Sequence, residues 1–316
     1  MIRTIIHCMY LRSLILGVAT VLAGCAAALL HGNFEPFPAL LTLLFVIFAQ
    51  IAANLYHRYA DAIYNFGENI DMGTDDSDEE SIDSMPLATA LKESSFAAAL
   101  LASMVGLSLL TQVGWWSLAI GACIFAATYF NSVGPRPLSR SWCGTFLTFF
   151  FFGPIGVVGT CLIQAAYENN VYDLWFDLLP ALYLGIAMGL FALNSQLLHD
   201  YTHYDRNRDN GKETFVSRFG LRATRCLVIL SWCAIMLLSC LLVFGDKLRS
   251  PWLVILIPAA CVAVGAGIWI KTFRNPSRTD LTPEWTMNIC ALVYAATACI
   301  IFALLGLPTD SHFLYY

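Results

Sequence analysis

Charged residues are scarce in this chain of 316 residues: they make up only 12%, about half the fraction usual in a soluble domain. Paired cysteines are missing as well, because the eleven cysteines include no Cys-x-x-Cys pair and no spacing typical of secreted domains. Those two absences exclude an ordinary soluble protein and a disulfide-stabilised scaffold. No Gly/Ser-rich or Pro-rich linker divides the chain, so we expect a single domain over residues 1–316.

Apolar residues make up 58% of the chain and come in long blocks. A helix needs roughly 20 residues to cross a bilayer. Nine blocks approach that length: residues 11–30, 38–56, 95–113, 115–132, 145–166, 179–199, 221–245, 251–271 and 283–306. The blocks lack the two-residue alternation of a membrane β-barrel. The pattern therefore predicts an all-α integral membrane protein with nine transmembrane helices.

Basic residues are distributed unevenly between the connecting segments. If the N-terminus lies in the cytoplasm, only Lys247 and Arg249 of the 17 basic residues fall on the opposite side. Cytoplasmic loops of membrane proteins are enriched in Lys and Arg. We therefore expect a multi-pass protein of the inner membrane, with a cytoplasmic N-terminus and an extracytoplasmic C-terminus. We expect the lipid bilayer, and no nucleic acid, among its partners.

The second predicted span ends in a polar run, "QIAANLYHRYAD", Gln50 to Asp61. Residues three and four apart share one face of a helix, so Asn54, His57 and Asp61 line one side of its cytoplasmic end. An ionisable side chain costs roughly 2.5–3.5 kcal/mol at the centre of a bilayer, less near its surface, and usually marks a polar cavity. Taken singly, each of these residues is better explained by the contact of a helix end with water.

The sixth predicted span ends in a second polar run, "HDYTHYDRNRDNGKETFVSRFG", at residues 199–220. The same spacing puts His203 and Asn207 on one face, together with either His199 or Asp200. Because both polar runs lie at the same level of the membrane, we expect them to border one shared pocket.

Carboxylates that face each other across a pocket, with basic residues nearby, suit a diphosphate bridged by Mg²⁺. This ion takes oxygen ligands and is commonly held by one or two carboxylates together with the phosphates of a substrate. Arg58, Arg136, Arg140 and Lys212 could neutralise the remaining phosphate charge. The aromatic run "FFFF" at residues 149–152 could line an isoprenoid groove or stabilise a carbocation, although aromatic residues in membrane helices serve mainly in packing.

The connection after the second span contains an acidic run, "DDSDEESID", at residues 75–83. A solvated loop is its simplest interpretation, and a lid or a metal-recruiting role is the alternative. Glu68 and Asp71 precede this run and could contribute to the pocket from the loop.

Three segments resemble the UbiA superfamily of intramembrane prenyltransferases, most closely its menaquinone branch. "QIAANLYHRYAD" is similar to the first Asp-rich region of that branch, and "DRNRDNGKETFVSRFG" is similar to the second. Between them, "GPRPLSRSWCGTFLTFFFFGPIGVVGT" resembles its G-P-x-P-L segment and the F-F-G-P span that follows. "LRSLILGVATVLAG" is a weaker match to its opening span.

The first Asp-rich region departs from the pattern of the branch. His57 replaces an asparagine and Arg58 replaces the leading aspartate, whereas Asn54 and Asp61 are kept. Opposite unit charges 4 Å apart attract by about 4 kcal/mol at an effective dielectric constant of 20. Arg58 could therefore take over part of the electrostatic role of a metal ion.

The second Asp-rich region departs as well. His203 and Asn207 stand where two aspartates are usual, while Asp200 and Asp205 supply carboxylates at shifted positions. Histidine favours manganese, iron or zinc over magnesium. The hypothesis that follows is a diphosphate site that holds fewer Mg²⁺ ions than is usual in the family.

The resemblance implies a bundle of nine transmembrane helices around a central cavity, covered by cytoplasmic cap loops. It also implies a prenyltransferase that moves an isoprenoid chain from a polyprenyl diphosphate to an aromatic acceptor of the dihydroxynaphthoate type, in quinone biosynthesis. Mg²⁺ is the expected cofactor, with Mn²⁺ or another divalent ion as the alternative.

The resemblance assigns two groups of site residues. The predicted catalytic and metal-binding carboxylates are Asp61, Asp200 and Asp205. The predicted substrate-binding residues are Asn54, His57, Arg58, Arg136, Arg140, Lys212, His203 and Asn207.

Three other functions remain open at the level of the sequence. A catalytically inactive protein of the same fold could bind a quinone, a lipid or a partner protein, and the altered Asp-rich regions favour it. An isoprenoid cyclase of the same superfamily is a further possibility. A transporter would be expected to carry charges deep within its spans, whereas the charges here lie at helix ends.

Overall fold

The computed structural model describes residues 5–6, 8–30, 32–63, 84–132, 137–167, 171–209, 211–245, 251–274 and 282–305. Helices account for most of these residues. They are α1 (Leu11–Leu30), α2 (Pro36–Ile63), α3 (Ser84–Val113), α4 (Trp116–Ser132), α5 (Trp142–Phe150), α6 (Gly156–Tyr167), α7 (Val171–Thr202), α8 (Tyr204–Asp209), α9 (Phe215–Gly245), α10 (Pro251–Arg274) and α11 (Thr282–Leu305). A 3₁₀ turn at Leu138–Arg140 precedes α5, and a π-helical turn at Phe151–Ile155 joins α5 to α6.

Seven helical stretches in the described part of the chain are long and apolar enough to cross a membrane. They lie in α1, α2, α3, the joined α5 and α6, α7, α9 and α11. The prediction of a helical multi-pass membrane protein is thereby confirmed. Helices α4 and α10 coincide with the fourth and eighth predicted spans, but the count of nine spans, the central cavity, the cap loops and the single domain stay predictions.

Several helices extend beyond the apolar blocks that predicted them. Helix α2 continues to Ile63, past the predicted end at residue 56, and α3 begins at Ser84 rather than residue 95. An apolar block reports the length of helix that lies within the bilayer. The backbone remains helical beyond that length, and the polar residues at the end of α2 are therefore still held in helical register.

Helix α1 lies in the centre of the bundle, where it contacts α2, α6, α7 and α11. Its inward positions are small, since Ala19, Ala23 and Ala26 are fully buried. Small residues let membrane helices approach each other closely. The main apolar core joins these alanines to α7 and α11 through larger side chains such as Phe191 and Tyr294.

The segment between α5 and α6 is bent where the sequence reads Phe-Gly-Pro. Gly153 has non-helical dihedral angles, φ −109° and ψ −113°, and Pro154 follows it. A Cβ atom at Gly153 would lie 2.6 Å from the Cα atom of Gly189 on α7, closer than real Cβ atoms come. The bend therefore depends on glycine because its backbone rests directly on α7.

Helix α9 contains a break at Gly220, where φ is 81° and ψ is 168°. Residues with a side chain rarely adopt such a positive φ, whereas glycine adopts it readily. The break separates the first turn of α9 from its apolar part, which agrees with the predicted start of the seventh span at residue 221. All eleven cysteines are free thiols, as their spacing predicted.

Candidate active site

The C-terminal end of α2 carries one buried carboxylate. Asp61 is only 7% exposed, and its Oδ2 atom lies 3.6 Å from Nε2 of His57. That contact confirms that the two residues share a helix face. No hydrogen bond to Oδ2 of Asp61 is found within the described part of the chain, which leaves a buried negative oxygen able to accept a ligand.

The other predicted residues at this end bind the segment that leads into α1. Asn54 donates hydrogen bonds from Nδ2 to the carbonyl oxygen of Met9 at 2.9 Å and to Oγ of Ser13 at 3.0 Å. The guanidinium of Arg58 lies over the ring of Tyr10, 4.7 Å from its centre. Asn54 thus connects two helices, and Arg58 is held by a cation–π contact.

The C-terminal end of α7 carries a second buried carboxylate. Asp200 is 1% exposed, and the hydrogen bonds that its two oxygens accept from described residues are long, 3.4 and 3.5 Å, both from Nε2 of Gln196. Charges that act on it include those of Lys212 and Glu284. Because a buried carboxylate is costly unless it is paired, Asp200 also suits a cationic ligand.

Two histidines and a glutamate come together beside Asp200. Nδ1 of His199 lies 2.9 Å from Oε1 of Glu284, and the ring centres of His199 and His203 are 4.5 Å apart. His203 donates from Nδ1 to the carbonyl oxygen of His199 at 2.9 Å. Burial lowers the pKa of His203, and the neighbouring His199 adds to this effect, so its neutral form is favoured.

Glu284 was missed by the sequence analysis. It lies in the first turn of α11, and it is 8% exposed. Its only local signal is a carboxylate at the start of an apolar block, which is common at helix N-termini. Its partner His199 is 85 residues away in the sequence, so helical periodicity could not connect them.

Backbone contacts join the two loops that carry the predicted basic residues. The amide nitrogen of Glu213 donates to the carbonyl oxygen of Arg140 at 3.0 Å, and this hydrogen bond joins the two loops. Within the second loop, the amide nitrogen of Lys212 donates to the carbonyl oxygen of Asn207 at 2.8 Å. The turn at Leu138–Arg140 and the Gly-Lys-Glu-Thr segment are therefore adjacent. An open cleft of about 450 Å³ borders them, lined by Arg208, Gly211, Lys212, Glu213, Ser217 and Arg218.

The remaining predicted residues differ in their positions. Asp205 is exposed in the first turn of α8, whereas Asn207 is buried, with no hydrogen bond from its Nδ2 atom to the described residues. Arg136, Glu68, Asp71 and the acidic run at residues 75–83 lie outside the described residues. Helix α1 contacts both α2 and α7, and the convergence of Asp61 and Asp200 on one pocket stays a prediction.

The side chains present fit a hard divalent cation. Mg²⁺ prefers carboxylate oxygens as ligands, and Asp61 and Asp200 each bury a carboxylate without a strong hydrogen-bond partner among the described residues. The fold and these residues together define a membrane-embedded helical protein with carboxylates at the ends of two spans.

A match over residues 17–289 identifies the family as the UbiA prenyltransferase family. The chain belongs to this family, and the prediction that it is a prenyltransferase is confirmed. A 1,4-dihydroxy-2-naphthoate octaprenyltransferase of Mycobacterium tuberculosis (strain ATCC 25618 / H37Rv) is 30% identical over 269 residues, which cover 84% of this chain and 85% of the relative. The protein of the same name from Escherichia coli (strain K12) is 28% identical over 279 residues, which cover 84% of each chain.

Solved structures share the fold at low sequence identity. The apo structure of a UbiA homologue from Aeropyrum pernix K1 matches with a TM-score of 0.64 and 14% identity, over 90% of this chain and 97% of the homologue. A UbiA homologue from Archaeoglobus fulgidus bound to GPP and Mg²⁺ matches with a TM-score of 0.56 and 12% identity, over 93% and 99% of the two chains. These likenesses establish the fold.

Proposed function

We propose that this protein transfers an isoprenoid chain from a polyprenyl diphosphate to an aromatic acceptor of the dihydroxynaphthoate type. The relatives named as 1,4-dihydroxy-2-naphthoate octaprenyltransferases support this acceptor class. The homologue from Archaeoglobus fulgidus bound to GPP and Mg²⁺ supports a prenyl diphosphate as donor. We further propose that the reaction takes place at the cytoplasmic side of the inner membrane, where the basic loops lie if the N-terminus is cytoplasmic.

The observation that carries the proposal is the pair of buried carboxylates, Asp61 on α2 and Asp200 on α7. Both lie at the cytoplasmic ends predicted for their helices, and neither has a strong hydrogen-bond partner within the described residues. In our proposal Asp61 and Asp200 hold the divalent ion, and the exposed Asp205 contributes less to its binding. A bound Mg²⁺ would supply charge stabilisation to the departing diphosphate.

The chain's own basic groups would bind the diphosphate. Lys212 lies within electrostatic range of Asp200, and the loop of Arg140 is joined to the loop of Lys212 through Glu213. Arg58 stands at the end of α2, close to Asp61. Positive groups held in place before the reaction stabilise the charge that develops on the leaving diphosphate.

The reaction begins when the bond between the isoprenoid carbon and the diphosphate oxygen breaks, and the electron pair leaves with the diphosphate. A ring carbon of the acceptor then forms a carbon–carbon bond to the allylic cation. The ring regains its aromaticity when the bond from that carbon to its hydrogen or carboxylate breaks, which releases a proton or CO₂ and returns the electron pair to the ring. Exclusion of water by the surrounding helices would protect the cation from hydrolysis. His57, His203, Asn54 and Asn207 would position the reactants as polar neighbours.

The test is incubation of the purified protein in detergent with polyprenyl diphosphates and aromatic acceptors, followed by mass spectrometry of the products. We expect a prenylated acceptor from the wild-type protein and little or none from Asp61→Ala or Asp200→Ala. Wild-type activity in both variants would refute the assignment of the carboxylates, even if prenylation occurs. Conversion of the donor without an acceptor would instead identify a cyclase, and no conversion of any donor would favour an inactive binding protein.

Binding of the donor can be measured separately from turnover. Isothermal titration of a non-hydrolysable diphosphate analogue, with and without Mg²⁺, should show binding that Mg²⁺ strengthens. The arginine at position 58 predicts that measurable binding remains without the ion. The absence of binding under both conditions would refute the diphosphate site.

A further inference from the structure

We propose that His199, His203 and Glu284 form a binding site for a borderline divalent metal ion of the Zn²⁺ class, separate in its ligands from the carboxylate pair assigned to Mg²⁺. Two of these side chains come from the end of α7, and the third comes from the first turn of α11. An ion bound there would connect the two helices at their cytoplasmic ends.

The distances between the donor atoms suit a metal ion. One nitrogen or oxygen atom from each of the three residues lies within 4.8 Å of the others. Ligands about 2.1 Å from a tetrahedral Zn²⁺ are separated by roughly 3.4 Å. Nδ1 of His199 and Oε1 of Glu284 lie 2.9 Å apart in a hydrogen bond, so an ion that enters would displace the shared proton and separate these two atoms slightly.

The second nitrogen of His203 is held in the manner usual for a metal-binding histidine. Its Nδ1 atom donates to the carbonyl oxygen of His199 at 2.9 Å, which leaves Nε2 as the atom with a free lone pair. Metal-binding histidines commonly donate their other ring N–H to a carbonyl or carboxylate, which fixes the tautomer and the ring orientation. The spacing of four residues places His203 beside His199 at the end of α7.

The type of ligand selects the type of ion. Imidazole suits zinc, iron, nickel and copper, whereas magnesium prefers oxygen atoms. Two imidazoles and one carboxylate are also the protein ligands of open zinc sites, in which a fourth position takes water or a substrate group. We therefore assign an ion of the Zn²⁺ class to these three residues, with one position left for an external ligand.

An ion bound beside Asp200 would also change the charge near the proposed diphosphate site. Asp200 follows His199 in the sequence, and both Glu284 and Lys212 act electrostatically on it. A dication at the histidines would add positive charge where aspartate ligands are usual in the family. This last step alone rests on the proposed function, because an effect on diphosphate binding presupposes that a diphosphate binds.

The test measures metal binding without any substrate. The full-length protein is purified in detergent, stripped with a chelator and titrated with Co²⁺ followed by its visible absorption, and bound Zn²⁺ is counted by elemental analysis. We expect one ion per chain, with the visible bands of a low-symmetry site, and Mg²⁺ in excess should not displace it. Glu284→Gln and His203→Gln should each weaken binding by about 100-fold or more.

Two matched variants separate this site from the carboxylate site at the end of α2. His57→Gln removes the histidine that neighbours Asp61, and it should bind Co²⁺ like the wild-type protein. Asp61→Asn should also retain the Co²⁺ spectrum while it loses the Mg²⁺-dependent binding of the diphosphate analogue. The two proposals can therefore fail independently.

The result that would overturn the inference is the absence of Co²⁺ and Zn²⁺ uptake by the wild-type protein, or equal uptake by all variants. His203→Gln leaves the pair of His199 and Glu284 in place, so loss of binding in that variant cannot be attributed to the loss of that contact. Thermal unfolding in the presence of chelator checks that each variant is folded, and the rise in unfolding temperature on adding Zn²⁺ should occur only where the three ligands remain.

Discussion

The polar ends of α2 and α7 are built in different ways. The end of α2 offers one buried carboxylate, and its other polar groups bind the adjacent segment of the chain through Met9, Tyr10 and Ser13. At the end of α7, Asp200 is influenced by the charges of His199 from the same helix, Glu284 from α11 and Lys212 from the loop before α9. A polar run at the end of an apolar span therefore marks a candidate site, but it does not reveal which distant element contributes to that site.

The largest effect expected is the loss of prenyl transfer on neutralising either carboxylate. Asp61→Asn and Asp200→Asn should each lower kcat/KM by about 10²–10³-fold, because each removes a charged group of a preorganised site. If both ends act on one diphosphate, the double variant should be impaired by much less than the product of the two single effects. The measurement is the rate of product formation by mass spectrometry.

Glu93→Gln provides the matched control, because this carboxylate is exposed on α3. It should leave kcat/KM within about twofold of the wild-type value. Fully multiplicative effects of the two aspartates would contradict a shared site.

A substitution at Arg58 tests whether its guanidinium binds the diphosphate in place of the leading aspartate of the family and the metal ion that this aspartate would hold. Arg58→Ala should raise KM for the diphosphate donor by about 10–100-fold, since a hydrogen bond to a charged group contributes about 1.5–3 kcal/mol. Arg58→Lys should recover part of the loss because it keeps the charge. Lys92→Ala is the control, since Lys92 also lies over a tyrosine ring, that of Tyr59, and it should leave KM unchanged.

A substitution at Gly153 tests how much the close backbone contact with Gly189 on α7 contributes to stability. In Gly153→Ala the new methyl group would meet the backbone of Gly189. We expect a loss of about 1–3 kcal/mol in the free energy of unfolding, from overpacking, measured by unfolding in detergent. Gly267→Ala on α10 is the control, because a Cβ there meets nothing within 4 Å. An equal loss in both variants would show that the contact with α7 is not the cause.

The smallest effect expected is at Asn54. Asn54→Ala removes two hydrogen bonds to the segment before and at the start of α1, and we expect a loss of about 1–2 kcal/mol in the free energy of unfolding. Thr111→Ala, which removes an exposed hydrogen bond within α3, should change stability by less than about 0.5 kcal/mol. If Asn54→Ala abolished product formation while the protein stayed folded, Asn54 would belong with the reacting groups.

Sequence reasoning succeeded where neighbours are set by helical geometry. The spacing of His57 and Asp61 predicted their contact, and the apolar blocks predicted where most helices lie. It could not identify Glu284, because the approach of α11 to α7 depends on how the whole bundle packs. The bend at Gly153 was equally hidden, since a Gly-Pro pair marks a possible break but does not reveal the helix that the exposed backbone will touch.

The small alanine side chains of α1 affect how far apart α2 and α7 lie. Because this helix contacts both α2 and α7, its thickness contributes to the separation of the two helices that carry the carboxylates. Helices lined by small residues approach to about 8 Å, at the short end of the usual range. Enlarging Ala19 or Ala23 is therefore expected to change the distance between Asp61 and Asp200 without altering either carboxylate.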